Sequence, residues 1–294
     1  MNPVRIWFMA ARVRTLPAAV APVLVGTALA YELAEVFRPG AFIGALLGSI
    51  LIQIGTNLSN DYSDARRGAD AEDRLGPVRV TAGGLVPPKQ VLLATYVTFA
   101  LAALCGVYLV AVSGIELLFV GIASIAAGVL YTGGPRPYGY AGLGEVFVFL
   151  FFGIVAVAGS TFAQLERWPW QAFVLAVPVG LLAAAILVVN NVRDVDSDRR
   201  AGKRTLAVKL GRERAQLLYA AMVYGAYLVA PLPWLAGSLS AWLLLPWLTL
   251  PLSVKLVNTL RSHADGPTLN GVLAQTGLAQ LVFCLLLSAG ILAG

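Results

Sequence analysis

The chain has 294 residues, of which 59% are hydrophobic and only 12% are charged, and its mean hydropathy is +0.79. Soluble globular proteins carry about 25% charged residues, so this composition excludes a soluble domain. The apolar stretches are continuous and do not alternate with polar residues, which excludes a transmembrane β-barrel.

Nine apolar runs of roughly 20 residues follow one another along the chain, and each is long enough to cross a hydrocarbon core of about 30 Å as a helix. They cover residues 15–33, 40–59, 90–112, 115–131, 143–162, 171–191, 214–235, 239–258 and 269–293. We therefore predict an all-α integral membrane protein with nine transmembrane helices, folded as a single domain over residues 1–294.

The basic residues indicate the orientation of these helices. All of them except Arg38 and Arg167 lie in the N-terminal segment or in loops on that same side of the predicted bundle. Loops rich in Lys and Arg stay in the cytoplasm, so we predict a cytoplasmic N-terminus and, after nine crossings, an external C-terminus. The net charge of +6 is then a topology signal, and nucleic acid is not a predicted partner. We expect a multi-pass protein of the bacterial cytoplasmic membrane with its chemistry on the cytoplasmic face.

Most of the 15 acidic residues lie in two segments that follow the second and the sixth predicted helix. The first segment reads Asn57-x3-Asp61-x2-Asp64, and the second reads Asn190-x3-Asp194-x3-Asp198. Spacings of three and four place the two carboxylates of each pair on one helical face, where like charges repel. A repeated arrangement of this kind predicts a cation between the carboxylates. It also suggests a duplicated four-helix unit whose two acidic segments face one cavity.

The residue types in these segments favour one kind of metal site. The chain has one histidine and two isolated cysteines, so zinc is not predicted. Carboxylates and Asn amides are hard oxygen ligands suited to Mg²⁺, which is commonly shared with substrate phosphates. Nearby basic side chains are candidates for gripping the phosphate oxygens: Arg66, Arg67, Arg79, Lys203 and Arg204. Together they predict a diphosphate site at the mouth of an apolar cavity, with a lipid diphosphate as substrate.

Several segments carry a family resemblance. "NDYSD" at residues 60–64 and "DVDSD" at residues 194–198 resemble the paired motifs of the UbiA superfamily of intramembrane prenyltransferases. The forms "DAEDRLGPVR" and "NNVRDVDSDRRAGKRTLA" are similar to its branch that acts on 1,4-dihydroxy-2-naphthoate. The resemblance implies nine helices around a central cavity, an Mg²⁺-dependent site and an isoprenoid diphosphate donor. It assigns the metal to Asp61, Asp64, Asp194 and Asp198, and in this branch also to Asp70, because Gly68 stands where other relatives have a third Asp.

The resemblance also implies the reaction. A polyprenyl group passes from an isoprenoid diphosphate to 1,4-dihydroxy-2-naphthoate with loss of CO₂, which gives demethylmenaquinol in menaquinone synthesis. Asp61, Asp64, Asp194 and Asp198 are the expected catalytic residues. The remaining candidates for substrate binding lie in or beside these motifs, at the first helix or in the segment "YTGGPRPYGY" with the helix after it: Asn57, Asn60, Asn190, Asn191, Arg14, Tyr131, Arg136, Tyr138 and Glu145.

Other interpretations stay open at this point. The tyrosines can equally be interfacial anchors in a Gly/Pro loop, and Arg14 can be a plain topology charge. A sister enzyme would use 4-hydroxybenzoate, homogentisate, haem or a chlorophyllide as acceptor, or a phytyl donor. A secondary transporter would also have many helices and a repeat, but it places its charges near the middle of its spans. The tail length of the donor and the oligomeric state do not follow from the sequence.

Overall fold

A computed structural model describes residues 2–69, 75–76 and 78–294, without the side chain of Arg14, and this part of the chain is helical with no β-strand. The predicted ligand Asp70 therefore lies outside the described residues. Fourteen α-helices follow one another within these described ranges: α1 Pro3–Ala11, α2 Pro17–Ala34, α3 Pro39–Arg66, α4 Pro88–Ser113, α5 Glu116–Leu130, α6 Gly144–Val148, α7 Ala156–Leu165, α8 Trp170–Arg193, α9 Val195–Arg200, α10 Leu206–Leu210, α11 Arg212–Val229, α12 Leu232–Leu235, α13 Leu250–Ser262 and α14 Gly266–Leu292. A π-helical segment, Phe149–Val155, joins α6 to α7, and a 3₁₀ segment, Ala241–Thr249, leads into α13.

Eight helices in the described part of the chain are long and apolar enough to cross a membrane, which confirms a multi-pass helical architecture. They are Pro17–Ala34, Pro39–Arg66, Pro88–Ser113, Gly144–Leu165, Trp170–Arg193, Arg212–Leu235, Ala241–Ser262 and Gly266–Leu292. The fourth predicted span instead falls on α5, which has 15 residues and so measures about 22 Å. That length is short of the hydrocarbon core, so the count of nine crossings stays a prediction, as does the orientation.

Helices α3 and α8 extend beyond the predicted spans and carry the acidic motifs on their ends. Helix α3 runs on to Arg66, so Asn57, Asp61 and Asp64 lie on its last turns and not in a loop. Helix α8 ends at Arg193, and Asp194 is the residue that caps it before the short helix α9. Both motifs are therefore fixed to long helices at the same end of the bundle, which we call the motif end.

Small residues let the helices around the interior approach closely. A methyl group on Gly26 of α2 would lie 2.4 Å from the carbonyl oxygen of Val157 in α7. Gly153 of the π-helical segment and Gly180 of α8 face each other in the same way, because a Cβ on Gly153 would lie 2.7 Å from the Cα of Gly180. Such small-residue contacts are typical of membrane helices, where close backbone approach replaces the hydrophobic effect as the source of packing energy.

The opposite end of the bundle is closed by polar contacts between chain turns. The amide of Arg38 donates to Gln164 Oε1 (2.6 Å), and Gln164 Nε2 donates back to the carbonyl of Arg38 (3.1 Å). Arg38 also pairs with Glu166 at 2.5 Å, and both side chains are exposed or half-exposed. This end is thus held by the buried amide of Gln164 and by an ion pair at the surface, whereas the buried charges lie at the motif end.

Candidate active site

A large cavity of about 1050 Å³ opens at the motif end and is lined by residues of both acidic motifs. Its lining on α3 runs from Asp64 to Ala45, which at 1.5 Å per residue is about 28 Å along the helix. Charged and amide side chains surround the mouth, and apolar residues such as Val107, Ile122 and Phe151 line the interior. The cavity can therefore hold a molecule with a polar head and a long apolar tail.

Asp61 is buried and is held by backbone groups. Its Oδ1 accepts from the amide of Thr81 (2.9 Å), and its Oδ2 accepts from the amide of Val80 (3.2 Å). These amides belong to a turn just before α4, in which Gly84 adopts a left-handed φ of 68°. A carboxylate that accepts two backbone N–H groups has a fixed orientation and keeps its remaining lone pairs for a ligand.

Asp64, one turn further along α3, is buried among three side chains. Its Oδ1 accepts from the Tyr140 hydroxyl (2.7 Å), and its Oδ2 accepts from Lys203 Nζ (3.2 Å) and lies 3.6 Å from Arg79 Nη2. The Lys203 ammonium also lies 5.0 Å from the centre of the Tyr140 ring, a cation–π distance. Two cations therefore surround one carboxylate at the cavity mouth, as a site for an anion requires.

The second motif is organised around a buried arginine. Arg193 binds Asp194 through two parallel hydrogen bonds, from Nε to Oδ1 (2.8 Å) and from Nη2 to Oδ2 (2.5 Å). Its Nη2 also donates to Asn190 Oδ1 (2.9 Å), and its Nη1 donates to Asn270 Oδ1 (2.7 Å). Asn270 in turn donates to the carbonyl of Leu75 (3.0 Å), so Arg193 connects α8 to α14 and to residues 75–76.

Asp198 is half-buried and lies on the short helix α9, where it lines the cavity. The Thr205 hydroxyl lies 3.5 Å from its Oδ2, and the amide of Lys203 donates to its backbone carbonyl (2.8 Å). That backbone bond turns the chain back so that the Lys203 side chain reaches Asp64. The second motif thus positions a cation for the carboxylate of the first.

The third wall of the mouth is aromatic and amide-rich. Tyr131 and Tyr138 both line the cavity, and Tyr138 stacks on Phe147 with ring centres 3.9 Å apart. The Tyr138 hydroxyl donates to the carbonyl of Ala127 (2.8 Å), and burial raises its pKa. It therefore stays protonated and is a poor candidate for a base. Glu145 is buried behind this wall and accepts from Asn191 Nδ2 (2.8 Å), but it is not among the residues lining the cavity.

The predicted residues separate into those that the structure brings to the cavity and those that it does not. Lining the cavity are Asp61, Asp64, Asp194, Asp198, Arg79, Lys203, Asn57, Asn60, Asn190, Asn191, Tyr131 and Tyr138. Within the described part of the chain, Arg66, Arg67, Arg136 and Arg204 are exposed and do not line it. Arg66 lies against Tyr62. Arg67 donates to the carbonyl of Gly134, and its guanidinium lies 5.8 Å from the centre of the Tyr140 ring, so it lies behind a residue of the mouth and does not itself line the cavity. The backbone of Arg14 lies in the 3₁₀ turn before α2.

Arg193, Thr205 and Asn270 also line the cavity and are not part of the site predicted from the sequence. Arg193 counts among the predicted topology charges, although its place in the last turn of α8, beside Asp194, could have identified it as a partner of the motif. Asn270 is a polar residue near the start of an otherwise apolar helix, and such residues face the bundle interior. That signal is present in the sequence.

The donor set fits Mg²⁺ in a specific way. Among the described residues, no three His, Cys, Asp or Glu side chains are close enough to form a metal-binding group. Mg²⁺, however, uses one or two carboxylates and completes its shell with water and substrate phosphates. Two Asp residues in each motif, facing one cavity, match that requirement. The residues therefore suit an ion that arrives together with a diphosphate and do not suit a closed metal cage.

Comparison with known proteins identifies the family. Residues 19–269 match the UbiA prenyltransferase family. The chain is 42% identical to the 1,4-dihydroxy-2-naphthoate octaprenyltransferase of Mycobacterium tuberculosis, over 98% of this chain and 97% of that protein, and 38% identical to the Escherichia coli enzyme of that name, over 97% and 94%.

Solved structures show the same fold at lower identity. A UbiA homolog from Aeropyrum pernix K1 superposes with a TM-score of 0.70 at 17% identity, covering 95% of this chain and 97% of that one. A UbiA homolog from Archaeoglobus fulgidus bound to DMAPP and Mg²⁺ superposes with a TM-score of 0.66 at 15% identity, covering 96% and 99%. The sequence matches and the shared fold lead to one conclusion: this chain belongs to the UbiA prenyltransferase family.

Proposed function

We propose that this protein transfers a polyprenyl group from an isoprenoid diphosphate to 1,4-dihydroxy-2-naphthoate, with loss of CO₂, in menaquinone synthesis. Full-length relatives named 1,4-dihydroxy-2-naphthoate octaprenyltransferase support this acceptor. The single observation that carries the proposal is the cavity itself, in which two acidic motifs and the cations Lys203 and Arg79 surround the polar mouth of a long apolar interior. We propose that the whole chain acts as one domain, with its site on the cytoplasmic face of the cell membrane.

The proposed donor site lies between the motifs. Asp61 and Asp64 on one side and Asp194 and Asp198 on the other would hold Mg²⁺, which supplies positive charge to the leaving diphosphate. Lys203 and Arg79 stand beside Asp64 and add two fixed cations at the same place. Fixed charges that are already in position when the leaving group departs stabilise the transition state without reorganisation. The proposed diphosphate role of Arg66, Arg67 and Arg204 rests on side-chain movement, because all three are exposed.

The proposed transfer takes place just inside the mouth. The allylic C–O bond breaks and its electron pair leaves with the diphosphate. The ring carbon that carries the carboxylate attacks the allylic carbon. The bond from this carbon to the carboxylate then breaks, CO₂ leaves, and the electron pair of that bond restores the aromatic ring. Tyr131, Phe147 and Phe151 present aromatic rings to this part of the cavity, and such rings stabilise a developing cation. The apolar walls exclude water, which would otherwise capture the cation.

One assay tests the proposal. The purified protein receives a polyprenyl diphosphate, Mg²⁺ and, in parallel, 1,4-dihydroxy-2-naphthoate, 4-hydroxybenzoate or homogentisate, and the products are identified by mass. We expect a decarboxylated prenyl-naphthol as the main product, and loss of transfer when divalent ions are chelated. Preferential prenylation of 4-hydroxybenzoate or homogentisate would instead make it a sister enzyme.

Substitution of the motifs supplies the second test. Asp61→Asn and Asp194→Asn should each reduce the rate by at least about 100-fold, because each removes a negative charge from one motif. Both proteins should still insert into membranes, since the helices are unchanged. Near wild-type transfer by either purified variant would refute the assignment of the two motifs.

A further inference from the structure

Two adjacent amides at the mouth, Asn190 and Asn191, are bound in opposite senses by the protein. Both line the cavity near the end of α8. Asn190 uses its oxygen, which accepts from Arg193 Nη2 (2.9 Å), whereas Asn191 uses its nitrogen, which donates to Glu145 Oε1 (2.8 Å). The NH₂ group of Asn190 and the amide oxygen of Asn191 therefore remain available for other partners.

The chemistry of the partners fixes both orientations. A guanidinium has only donors, so the group of Asn190 that faces Arg193 must be its oxygen. Glu145 Oε1 acts as an acceptor, so the group of Asn191 that faces it must be its NH₂. The orientation of an amide is commonly ambiguous because its oxygen and nitrogen look alike. Here the guanidinium decides it for Asn190, and the ionised carboxylate of Glu145 decides it for Asn191.

Neither amide is satisfied by these contacts alone. Among the residues that the structure describes, Asn190 Nδ2 and Asn191 Oδ1 have no hydrogen-bond partner, although both residues border the cavity. Behind them, Glu145 is 2% exposed, and its Oε2 also has no partner among these residues. The free halves of the two amides border the cavity, so both can form hydrogen bonds to a ligand there.

We propose that Asn190 and Asn191 divide the two substrates between them. Asn190 donates its amide N–H to the diphosphate, which offers only acceptors, and Asn191 accepts a hydrogen bond from a ring hydroxyl of the aromatic substrate. Arg193 and Glu145 are positioning residues that fix these orientations. Glu145 does not line the cavity, so it acts on the aromatic substrate through Asn191. This inference rests on the proposed function, because it takes its two ligands from it.

The location of the pair agrees with this division. Asn190 shares Arg193 with Asp194 and so belongs to the diphosphate side of the mouth. Asn191 is tied to Glu145, which directly follows Gly144, and a methyl group on Gly144 would lie 3.6 Å from the Tyr131 hydroxyl. Asn191 therefore belongs to the aromatic wall formed by Tyr131, Tyr138 and Phe147.

Binding of each ligand alone tests the division without requiring turnover. Inorganic pyrophosphate with Mg²⁺ probes the donor site, 1,4-dihydroxy-2-naphthoate probes the acceptor site, and calorimetry gives both affinities. Asn190→Asp replaces the free NH₂ by an oxygen and should weaken pyrophosphate about tenfold or more, with naphthoate affinity unchanged. Asn191→Ala should weaken naphthoate by about tenfold and leave pyrophosphate unchanged. Asn258→Asp, the same substitution as the first at an exposed position of α13, is the control and should change neither.

A reversal of the hydrogen bond tests the role of Glu145. Asn191→Asp alone turns a carboxylate oxygen towards Glu145 and should weaken naphthoate binding. The double variant Asn191→Asp with Glu145→Gln restores the bond with its direction reversed, because the introduced glutamine amide can donate, and the new aspartate still presents an oxygen to the cavity. We expect it to recover naphthoate affinity to within about threefold of wild type.

The outcomes separate this inference from the proposed function. Equal loss of both ligands in Asn190→Asp and Asn191→Ala would overturn the division, as would a folded double variant without recovery. If the double variant shows no thermal unfolding transition, and so is not folded, the binding of both ligands by Asn191→Ala decides whether Asn191 serves the naphthoate. Failure of the wild-type protein to prenylate naphthoate would refute the proposed acceptor. The affinities of Asn190→Asp and Asn191→Ala for pyrophosphate would still test whether Asn190 binds the diphosphate.

Discussion

The two acidic motifs share the Asn-x3-Asp spacing, but the structure balances their charges in different ways. Asp64 of the first motif accepts a hydrogen bond from Tyr140 and forms ion pairs with Lys203 and Arg79, and all three partners are distant in sequence. Asp194 of the second motif is paired with the residue directly before it, Arg193. Among the described residues, Arg193 is the only charged partner of Asp194.

The two carboxylates differ in the number of partners that balance their negative charge: Asp64 has several, and Asp194 has one charged partner among the described residues. Asp64 keeps a cation and a hydroxyl if Lys203 is removed, whereas Asp194 has nothing comparable if Arg193 is removed. Removal of one partner from a buried ion pair leaves an uncompensated charge, which costs far more than the pair itself contributes. The second motif is therefore expected to be the more fragile, although its charge pair is the more local.

The largest effect should come from Arg193→Met. It leaves Asp194 buried and unpaired and also removes the partners of Asn190 and Asn270, so we expect a loss of about 3–5 kcal/mol in the free energy of unfolding. Denaturant unfolding of the purified protein in detergent measures this. Arg199→Met is the control, because Arg199 is exposed and only reaches Asp196 at 4.0 Å. It should change stability by less than about 1 kcal/mol. Equal stability of the two variants would contradict the view that Arg193 alone balances the charge of Asp194.

Lys203→Met should be the milder change in stability. Asp64 retains the Tyr140 hydrogen bond at 2.7 Å and Arg79 at 3.6 Å, so we expect a loss of about 1–3 kcal/mol. Because Lys203 is one of two cations at the mouth, kcat/KM for the diphosphate donor should fall at least about tenfold.

Lys209→Met is the matched control for Lys203. Its ammonium is exposed and donates to the carbonyl of Ala141 (2.5 Å), so both stability and kcat/KM should stay near wild type. A Lys203→Met protein that is less stable than Arg193→Met would reverse the proposed order of the two motifs.

The features that sequence could predict are those set by helix periodicity and length. Asp61 and Asp64 lie in the last turns of a long apolar helix, where a spacing of three places both on one face. Asp194 caps a second long helix, and Asp198 follows it on the short helix α9. Their meeting at one cavity follows from the repeat, and the structure places all four there. Fold and carboxylates were thus predictable from local pattern.

The choice of cations was not predictable in the same way. Arg66 and Arg67 lie two and three residues after Asp64, yet neither lines the cavity: Arg66 lies against Tyr62, and Arg67 lies behind Tyr140. Arg79 reaches Asp64 because residues 78–81 fold back over the end of α3, where Val80 and Thr81 cap Asp61. That path depends on tertiary contacts. The fourth predicted span stays a prediction for another reason, since its apolar run forms a helix of only 15 residues.

Asn270→Ala sharpens the comparison at a smaller scale. Asn270 accepts from Arg193 and donates to Leu75, so it joins the second motif to α14 and to the segment leading into the first motif's cap. We expect a loss of about 1 kcal/mol, the usual net value of a lost hydrogen bond, and a modest fall in rate. In a double-mutant cycle with Arg193→Met the losses should be less than additive, because the variants share one contact. Full additivity would show that the Arg193–Asn270 contact contributes nothing.

The smallest effect should come from Thr205→Val. The Thr205 hydroxyl lies 3.5 Å from Asp198 Oδ2, beyond the usual length of such a hydrogen bond, and Asp198 is half-buried, so water can replace the hydroxyl. Stability should change by less than about 0.5 kcal/mol and turnover by less than about twofold. Turnover and denaturant unfolding measure both. A loss of tenfold or more in turnover would mean that the second motif depends on Thr205 to hold Asp198 in position as well as on Arg193. The two motifs would then differ in how many residues hold their carboxylates, and not in how far along the chain those residues lie.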